Sequence, residues 1–265
     1  MIQSKKNKNI IDAHFHVFSG GIENLKSLVE LSSYKNKYMA YNELSLPDCE
    51  FERHCNQFEK VFCMPFFLKE ITATEANQAL LQVIPLIPNA MAIPLIDNSD
   101  LEFTKFADMP IIGAKEHFML HNAFEVSERK KAYNFLEKHN KFLLIHCSSS
   151  LRADYLQYLR TQFPNLRIQV AHLGCYRRNI KKTYELIDLF ANDENIYFDI
   201  STVFNTELIK YLMEKLNYKR ILFGTDKPFV SKRNDELITF IMDIIRGEYY
   251  DKIFRSNALE LIGHL

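Results

Sequence analysis

The chain has 265 residues, room for one domain of α/β-barrel size or two of average size. Its 33 Lys and Arg balance 33 Asp and Glu, so there is no basic excess with which to neutralise a nucleic-acid backbone. At 47% hydrophobic and 25% charged, the composition is that of a folded globular domain and excludes a disordered chain.

Residues 1–9 form a short basic tail carrying Lys5, Lys6 and Lys8, and no apolar run with a cleavage site follows it, so a secretory signal is not expected. One theme then repeats: a short β-branched and aromatic run, a loop, and a longer segment with apolar residues at helical spacing. Strands are predicted over Ile10–His14, Lys60–Met64, Met91–Leu95, Ile111–Lys115, Phe142–His146, Ile168–His172, Ile196–Ile200 and Arg220–Thr225. The longest connection follows the first strand and includes Tyr34–Tyr41, either a lid over the barrel mouth or an ordinary helix with a surface loop. Amphipathic helices lie between strands: Ala132, Phe135, Leu136 and His139 share one face, and Leu208, Ile209, Leu212, Met213 and Leu216 share another. A helix is expected from Asn179, and a last one over Tyr249–Leu265.

Several strands are continuous apolar runs, as in a parallel sheet covered on both faces. Eight βα units without a composition break predict an α/β fold of the closed (β/α)8 kind, a TIM barrel, as a single domain over residues 1–265. The absence of a Gly-rich phosphate loop after the first strand argues against an open dinucleotide-binding sheet. The most apolar stretch, Val83–Ile96, is interrupted by Pro85, Pro88 and Pro94 and is too short to span a bilayer. The five cysteines are odd in number and contain no C-x-x-C pair, so reduced thiols and a cytoplasmic location are expected, with Cys147 and Cys175 as structural thiols.

In such a barrel, chemistry collects at the carboxyl ends of the strands. His14 and His16 at the end of the first strand point the same way and can share a metal. The fifth strand ends at His146, the sixth at His172 and the eighth reaches Asp226, all metal-competent groups. Lys115 ends the fourth strand, where it either serves the site or pairs with Glu116; His117 alternates to its side. Arg152, Arg177, Arg178, Lys227, Lys232 and Arg233 gather positive charge near the mouth, suited to a carboxylate or phosphate on a small-molecule substrate. A solvated charged face is the other reading of these cations.

The segments IIDAHFH, LLIHCS, VAHLG and LFGTDKPF, with SNALELIG near the end, resemble the amidohydrolase superfamily, in the amidohydrolase-related branch that includes aminocarboxymuconate semialdehyde decarboxylase. The resemblance implies a metal-dependent barrel with His14, His16, His146 and Asp226 on one divalent ion, usually zinc, and His172 beside the water. It also implies, for a binuclear centre, a carbamylated Lys115 bridging two ions with His146 and His172 on the second. One ion is the first expectation. The function expected is a hydrolase that activates water on a small anionic amide, lactone or ester, with Asp226 and His172 catalytic and Lys115, His117, Arg152 and Arg177 binding substrate. The alternative is non-oxidative decarboxylation of an unsaturated or aromatic acid, and the third reading is a non-catalytic binding barrel. No nucleic-acid or membrane partner is expected.

Overall fold

The computed structural model describes residues 7–17, 48–65, 72–96, 110–117, 126–146, 153–175, 179–227, 230 and 232–263. The Tyr34–Tyr41 stretch, Cys147, Arg152, Arg177 and Arg178 lie outside the described residues, as does the side chain of Cys175.

All eight expected strands form: β1 (Asn7–Val17), β2 (Phe58–Pro65), β3 (Ala90–Ala92), β4 (Gly113–His117), β5 (Phe142–His146), β6 (Ile168–Val170), β7 (Ile196–Asp199) and β8 (Ile221–Leu222). They pair in parallel as β1-β2-β3 and β4-β5-β6-β7-β8. Two seams join these sheets into a barrel. On one side Ala92 bridges Ile111 and Leu95 bridges Lys115. On the other, the Ala13 amide donates to the Phe223 carbonyl at 2.9 Å, Asp226 to His14 at 2.8 Å and His16 to Lys227 at 2.8 Å.

Several strand boundaries differ from expectation. β1 begins at Asn7, so the last residues of the expected tail are strand. β3 is shorter because Pro94 has no amide to donate, leaving Leu95 as an isolated bridge. β4 runs on to His117, which places Lys115 within the strand rather than at its end. β6 stops before His172, whose φ of 52° breaks the extended geometry.

The helices are α1 (Asp48–Cys55), α2 (Ala73–Val83), α3 (Val126–Lys138), α4 (Ala153–Gln162), α5 (Ile180–Phe190), α6 (Thr206–Leu216), α7 (Asn234–Met242) and α8 (Asn257–Leu261). α6 shows why they form: Asn205 accepts from the Leu208 amide at its start, and Asn217 ends it in the left-handed region. Its Leu208, Ile209, Leu212, Met213 and Leu216 are buried, each such side chain stabilising the fold by about 1.5–3 kcal/mol. α5 starts at Asn179 as expected, that side chain accepting from the Lys182 amide. On α3 the buried face is Ala132, Tyr133 and Leu136; His139, expected on this face, is exposed and rests against the Phe135 ring. The last helical segment is interrupted by a π-turn over Lys252–Ser256 before α8.

Apolar packing separates into two clusters. The larger mixes strand residues with those of the surrounding helices. The smaller fills the barrel with strand side chains including Ile11, Ala13, Phe62, Phe142, Leu144 and Leu222, joined by Leu259 and Leu261 of α8. Among the described residues, no helix is long and apolar enough to cross a membrane.

Candidate metal centre

The site begins with an irregularity in β1. The pairing register shifts between Asp12 and Phe15, a bulge of the kind that re-aims side chains. Asp12 holds it in place: one carboxylate oxygen accepts the His14 amide at 3.1 Å and the Thr225 amide at 2.9 Å. The other accepts the Thr225 hydroxyl at 2.7 Å and His54 Nε2 at 2.8 Å. β8 can come this close because residue 224 is glycine, where a Cβ would stand 2.7 Å from that of His14. Asp226 then turns into the site with a φ of 51°, a left-handed conformation that aspartate tolerates better than most residues.

His14, His16 and Asp226 converge. The two histidine Nε2 atoms are 3.3 Å apart, and each lies 3.4 Å from Asp226 Oδ1. Their proton positions follow from what holds the far side of each ring. His14 Nδ1 faces the Asp199 carboxylate at 2.5 Å and His16 Nδ1 faces the Pro65 carbonyl at 3.2 Å, so both Nδ1 atoms donate. Both Nε2 atoms therefore present lone pairs to each other and to a carboxylate oxygen, an arrangement that calls for a cation. Lys115 Nζ approaches it, 3.5 Å from His14 Nε2, 3.3 Å from His16 Nε2 and 3.1 Å from Met64 Sδ. Two imidazoles and a carboxylate, with their ligand atoms within 4.8 Å of one another, also suit a divalent metal ion.

Burial drives the titration of these groups. It lowers His14 well below the usual histidine range, and the nearby Lys115 charge adds to the effect. The same two causes bring His16 down to about 4, against the pull of Asp226. Burial would raise Asp226, but His172, His16 and His14 around it hold the carboxyl at about 2. The centre thus keeps neutral imidazoles and a charged carboxylate, the forms that ligate metal.

A second layer comes from β6 and β7. Asp199 also accepts Gln169 Nε2 at 3.0 Å and the Ser201 amide at 2.6 Å. His172 Nδ1 faces the Ser201 carbonyl at 3.1 Å and the Ser201 hydroxyl at 2.9 Å, while its Nε2 points to Asp226 Oδ1 at 4.0 Å. His14, His172 and Asp199 also come within metal-ligand spacing of one another. Their facing nitrogens are already engaged by the Asp199 carboxylate and by Ser201, so this set reads as a hydrogen-bond network.

His146 and His117 form a stacked pair, ring centroids 4.4 Å apart, and His146 meets the His172 ring edge-on at 5.0 Å. His146 Nδ1 is buried and has no hydrogen-bond partner among the described residues. His146 is not within the 4.8 Å set formed by His14, His16 and Asp226. Glu116 does not pair with Lys115. It points the opposite way, into a buried network with Arg129 Nε at 2.9 Å and the hydroxyls of Tyr133 at 2.6 Å and Tyr155 at 2.9 Å. Burial raises Glu116, with the Arg129 charge opposing.

Of the mouth cations, Arg233 is exposed and paired with Asp235 at 2.8 Å, and Lys232 Nζ lies 5.5 Å from the Phe204 ring centroid. Sequence reasoning passed over Asp12, His54, Gln169, Asp199 and Ser201. Asp199 ends β7 but is the last residue but one of the strand predicted over Ile196–Ile200, so the strand ends read from the sequence do not single it out.

Fold and site together define a (β/α)8 barrel with a His/His/Asp centre able to hold a divalent metal at the carboxyl ends of its strands. Residues 110–263 match the amidohydrolase family, and the chain belongs to that family. The matched segment contains Lys115, His146, His172 and Asp226; His14 and His16 precede it and reach the site by barrel closure. The chain is similar in structure to an Acinetobacter baumannii protein described as a probable 2-pyrone-4,6-dicarboxylic acid hydrolase, with citric acid bound. That likeness has TM-score 0.66 and 16% identity, covering 96% of this chain and 99% of the other. It is similar to 2,6-dihydroxybenzoate decarboxylase from Rhizobium, with TM-score 0.69 and 16% identity over 97% and 99% of the two chains. A third likeness is to dihydroxybenzoic acid decarboxylase from Polaromonas sp. JS666 with bound manganese and 2-nitroresorcinol, TM-score 0.64 and 15% identity over 97% of each chain. No curated protein sequence matches this chain.

Proposed function

We propose that the protein is a metal-dependent hydrolase acting on a small carboxylate-bearing lactone, ester or amide. The observation that carries this reading is the convergence of His14 Nε2, His16 Nε2 and Asp226 Oδ1, three acceptors with no proton of their own between them. His14, His16 and Asp226 would hold one divalent ion, zinc first, with His146 the fourth ligand. Such an ion supplies a Lewis acid that polarises a carbonyl and brings the acidity of water toward neutral pH, about 7 in favourable sites.

The protein's own groups divide the remaining work. Asp226 accepts a proton from the attacking water and passes it to the leaving group. His172, donating from Nδ1 to Ser201, presents Nε2 as an acceptor to the same water. Lys115 and His117 take a substrate carboxylate, with Arg152 and Arg177 proposed to bind substrate as well. If two ions bind, Lys115 takes the role of a carbamylated bridge, and His172 joins the ligands.

The decarboxylase reading uses the same groups to protonate carbon as carbon dioxide leaves. It is favoured by the shared fold of the two dihydroxybenzoate decarboxylases, one of them holding manganese.

The test is metal content per chain by elemental mass spectrometry on protein purified without chelator, for wild type and the His14→Ala, His16→Ala double variant. About one ion in wild type and none in the variant is expected. Lactone and ester dicarboxylates are then assayed beside hydroxybenzoates: acid release selects hydrolysis, carbon dioxide release selects decarboxylation. No metal, and no turnover on adding zinc or manganese, would overturn the proposal.

A further inference from the structure

Resting on the metal-centre reading above, we infer that Asp199 and Ser201, at the carboxyl end of β7, are positioning residues that fix the tautomers of His14 and His172 together. β7 contributes no member of the His/His/Asp centre, yet its end touches the far side of both rings. Asp199 Oδ2 faces His14 Nδ1 at 2.5 Å, and the same carboxylate receives Gln169 Nε2 at 3.0 Å and the Ser201 amide at 2.6 Å. Three donors aimed at two oxygens define an acceptor-only group, so the His14 proton sits on Nδ1 and its Nε2 is bare.

Ser201 carries the constraint across to His172. Its amide is held by Asp199, its carbonyl accepts from His172 Nδ1 at 3.1 Å, and its hydroxyl lies 2.9 Å from that nitrogen and 3.4 Å from His14 Nδ1. The two imidazoles are themselves stacked, with centroids 4.8 Å apart. The chain turns immediately afterwards through Thr202 at φ 59°, a rare conformation for a β-branched residue, found where surrounding structure enforces it. One short segment thus orients the metal-side histidine and the water-side histidine as a unit.

Asp199→Asn separates this role from packing. The amide keeps the shape but offers one acceptor and one donor group where three donors converge, so its NH2 must confront either Ser201 N–H or the His14 and Gln169 donors. His14 relieves the conflict by moving its proton to Nε2, and a displaced Ser201 loosens His172. Ring-15N histidine NMR on the full-length protein reads both tautomers with and without metal, and zinc and manganese affinities are measured by chelator competition. The expected result is Nδ1–H on both rings in wild type, loss of that state at His14 and disturbance at His172 in Asp199→Asn, and metal binding weakened by about 10–100-fold.

Unchanged tautomers, or affinities within twofold of wild type in the folded variant, overturn the inference. If wild type takes up no metal, the metal-centre reading fails, but the tautomers of the metal-free proteins still decide the positioning role. Should Asp199→Asn not fold, Asp199→Ala decides: it removes the acceptor from His14 Nδ1 and the hold on the Ser201 amide without adding a competing donor, so the His14 tautomer must change and His172 must be disturbed, whereas unchanged tautomers sink the coupling.

Discussion

Gly224→Ala tests the idea that the centre depends on how closely β8 approaches β1. A Cβ at this position stands 2.7 Å from His14 Cβ, and 3.2 Å from both the His14 amide nitrogen and Ser201 Cβ. Unbonded carbons settle at about 3.5–4.0 Å, so the two strands must part by about 1 Å. His14 Cβ is fixed to the backbone and its ring is pinned by Asp199, so no rotamer change relieves the contact. Overpacking of this kind costs about 1–3 kcal/mol in stability. The effect on function is larger, because a displacement near 1 Å can cost about 100-fold in turnover. Gly113→Ala is the matched control: its Cβ would lie 2.6 Å from the Phe142 carbonyl oxygen, an equally hard clash on β4. Urea denaturation should show comparable losses for both variants, while chelator competition should show weakened metal binding in Gly224→Ala alone. A Gly224→Ala protein with wild-type stability and affinity would refute the reasoning. Equal loss of metal in both variants would refute it as well.

Three further outcomes are expected. Asp226→Asn should fold, and turnover of whichever substrate is found should drop by about 100- to 10,000-fold, the range for a lost proton-transfer group. Arg129→Met leaves Glu116 buried with only tyrosine hydroxyls as partners among the described residues, and denaturation should report a loss of about 3–5 kcal/mol; a loss under about 1 would show that Glu116 is protonated in the native protein. His54 is depressed by burial, with the adjoining Asp12 opposing, so its folded value lies below the unfolded 6.5. Below pH 6.5 the unfolded chain binds the proton that folded His54 refuses; stability therefore falls as pH drops from 6.5 toward that lower value. His54→Gln should flatten this slope in a pH series of urea midpoints, and an unchanged slope would assign the effect elsewhere.

The barrel was legible because its signals are local. Several strands are apolar runs that can be read without their neighbours, and α6 announces itself through five apolar residues at helical spacing between Asn205 and Asn217. His14, His16, His172 and Asp226 were legible because barrel topology brings strand ends together whatever the register. The pairing of Lys115 with Glu116 failed on alternation: successive strand residues face opposite ways, so Lys115 turns to the histidines while Glu116 meets Arg129 on α3. Where β4 ends and which way α3 presents His139 depend on packing between elements, and the sequence pattern carries little of that.

The groups that hold the site together were hidden for a deeper reason. Asp12 reads as the first letter of a histidine motif, but its work is done on Thr225 and His54, more than 200 residues and 42 residues away along the chain. Its carboxylate is what fixes the bulge that turns His14 and His16 inward, so the motif's aspartate shapes the centre without facing it. Asp199 and Ser201 act in the same manner on His14 and His172, and Gln169 ties Asp199 back to the Ala13 carbonyl at 3.0 Å. Ligands are recognisable by their chemistry, whereas supports are ordinary polar residues whose meaning lies in the register between strands. The orientation of the centre is therefore a property of barrel closure, and the variants most informative about it lie at Gly224, Asp12 and Asp199, outside the His/His/Asp set.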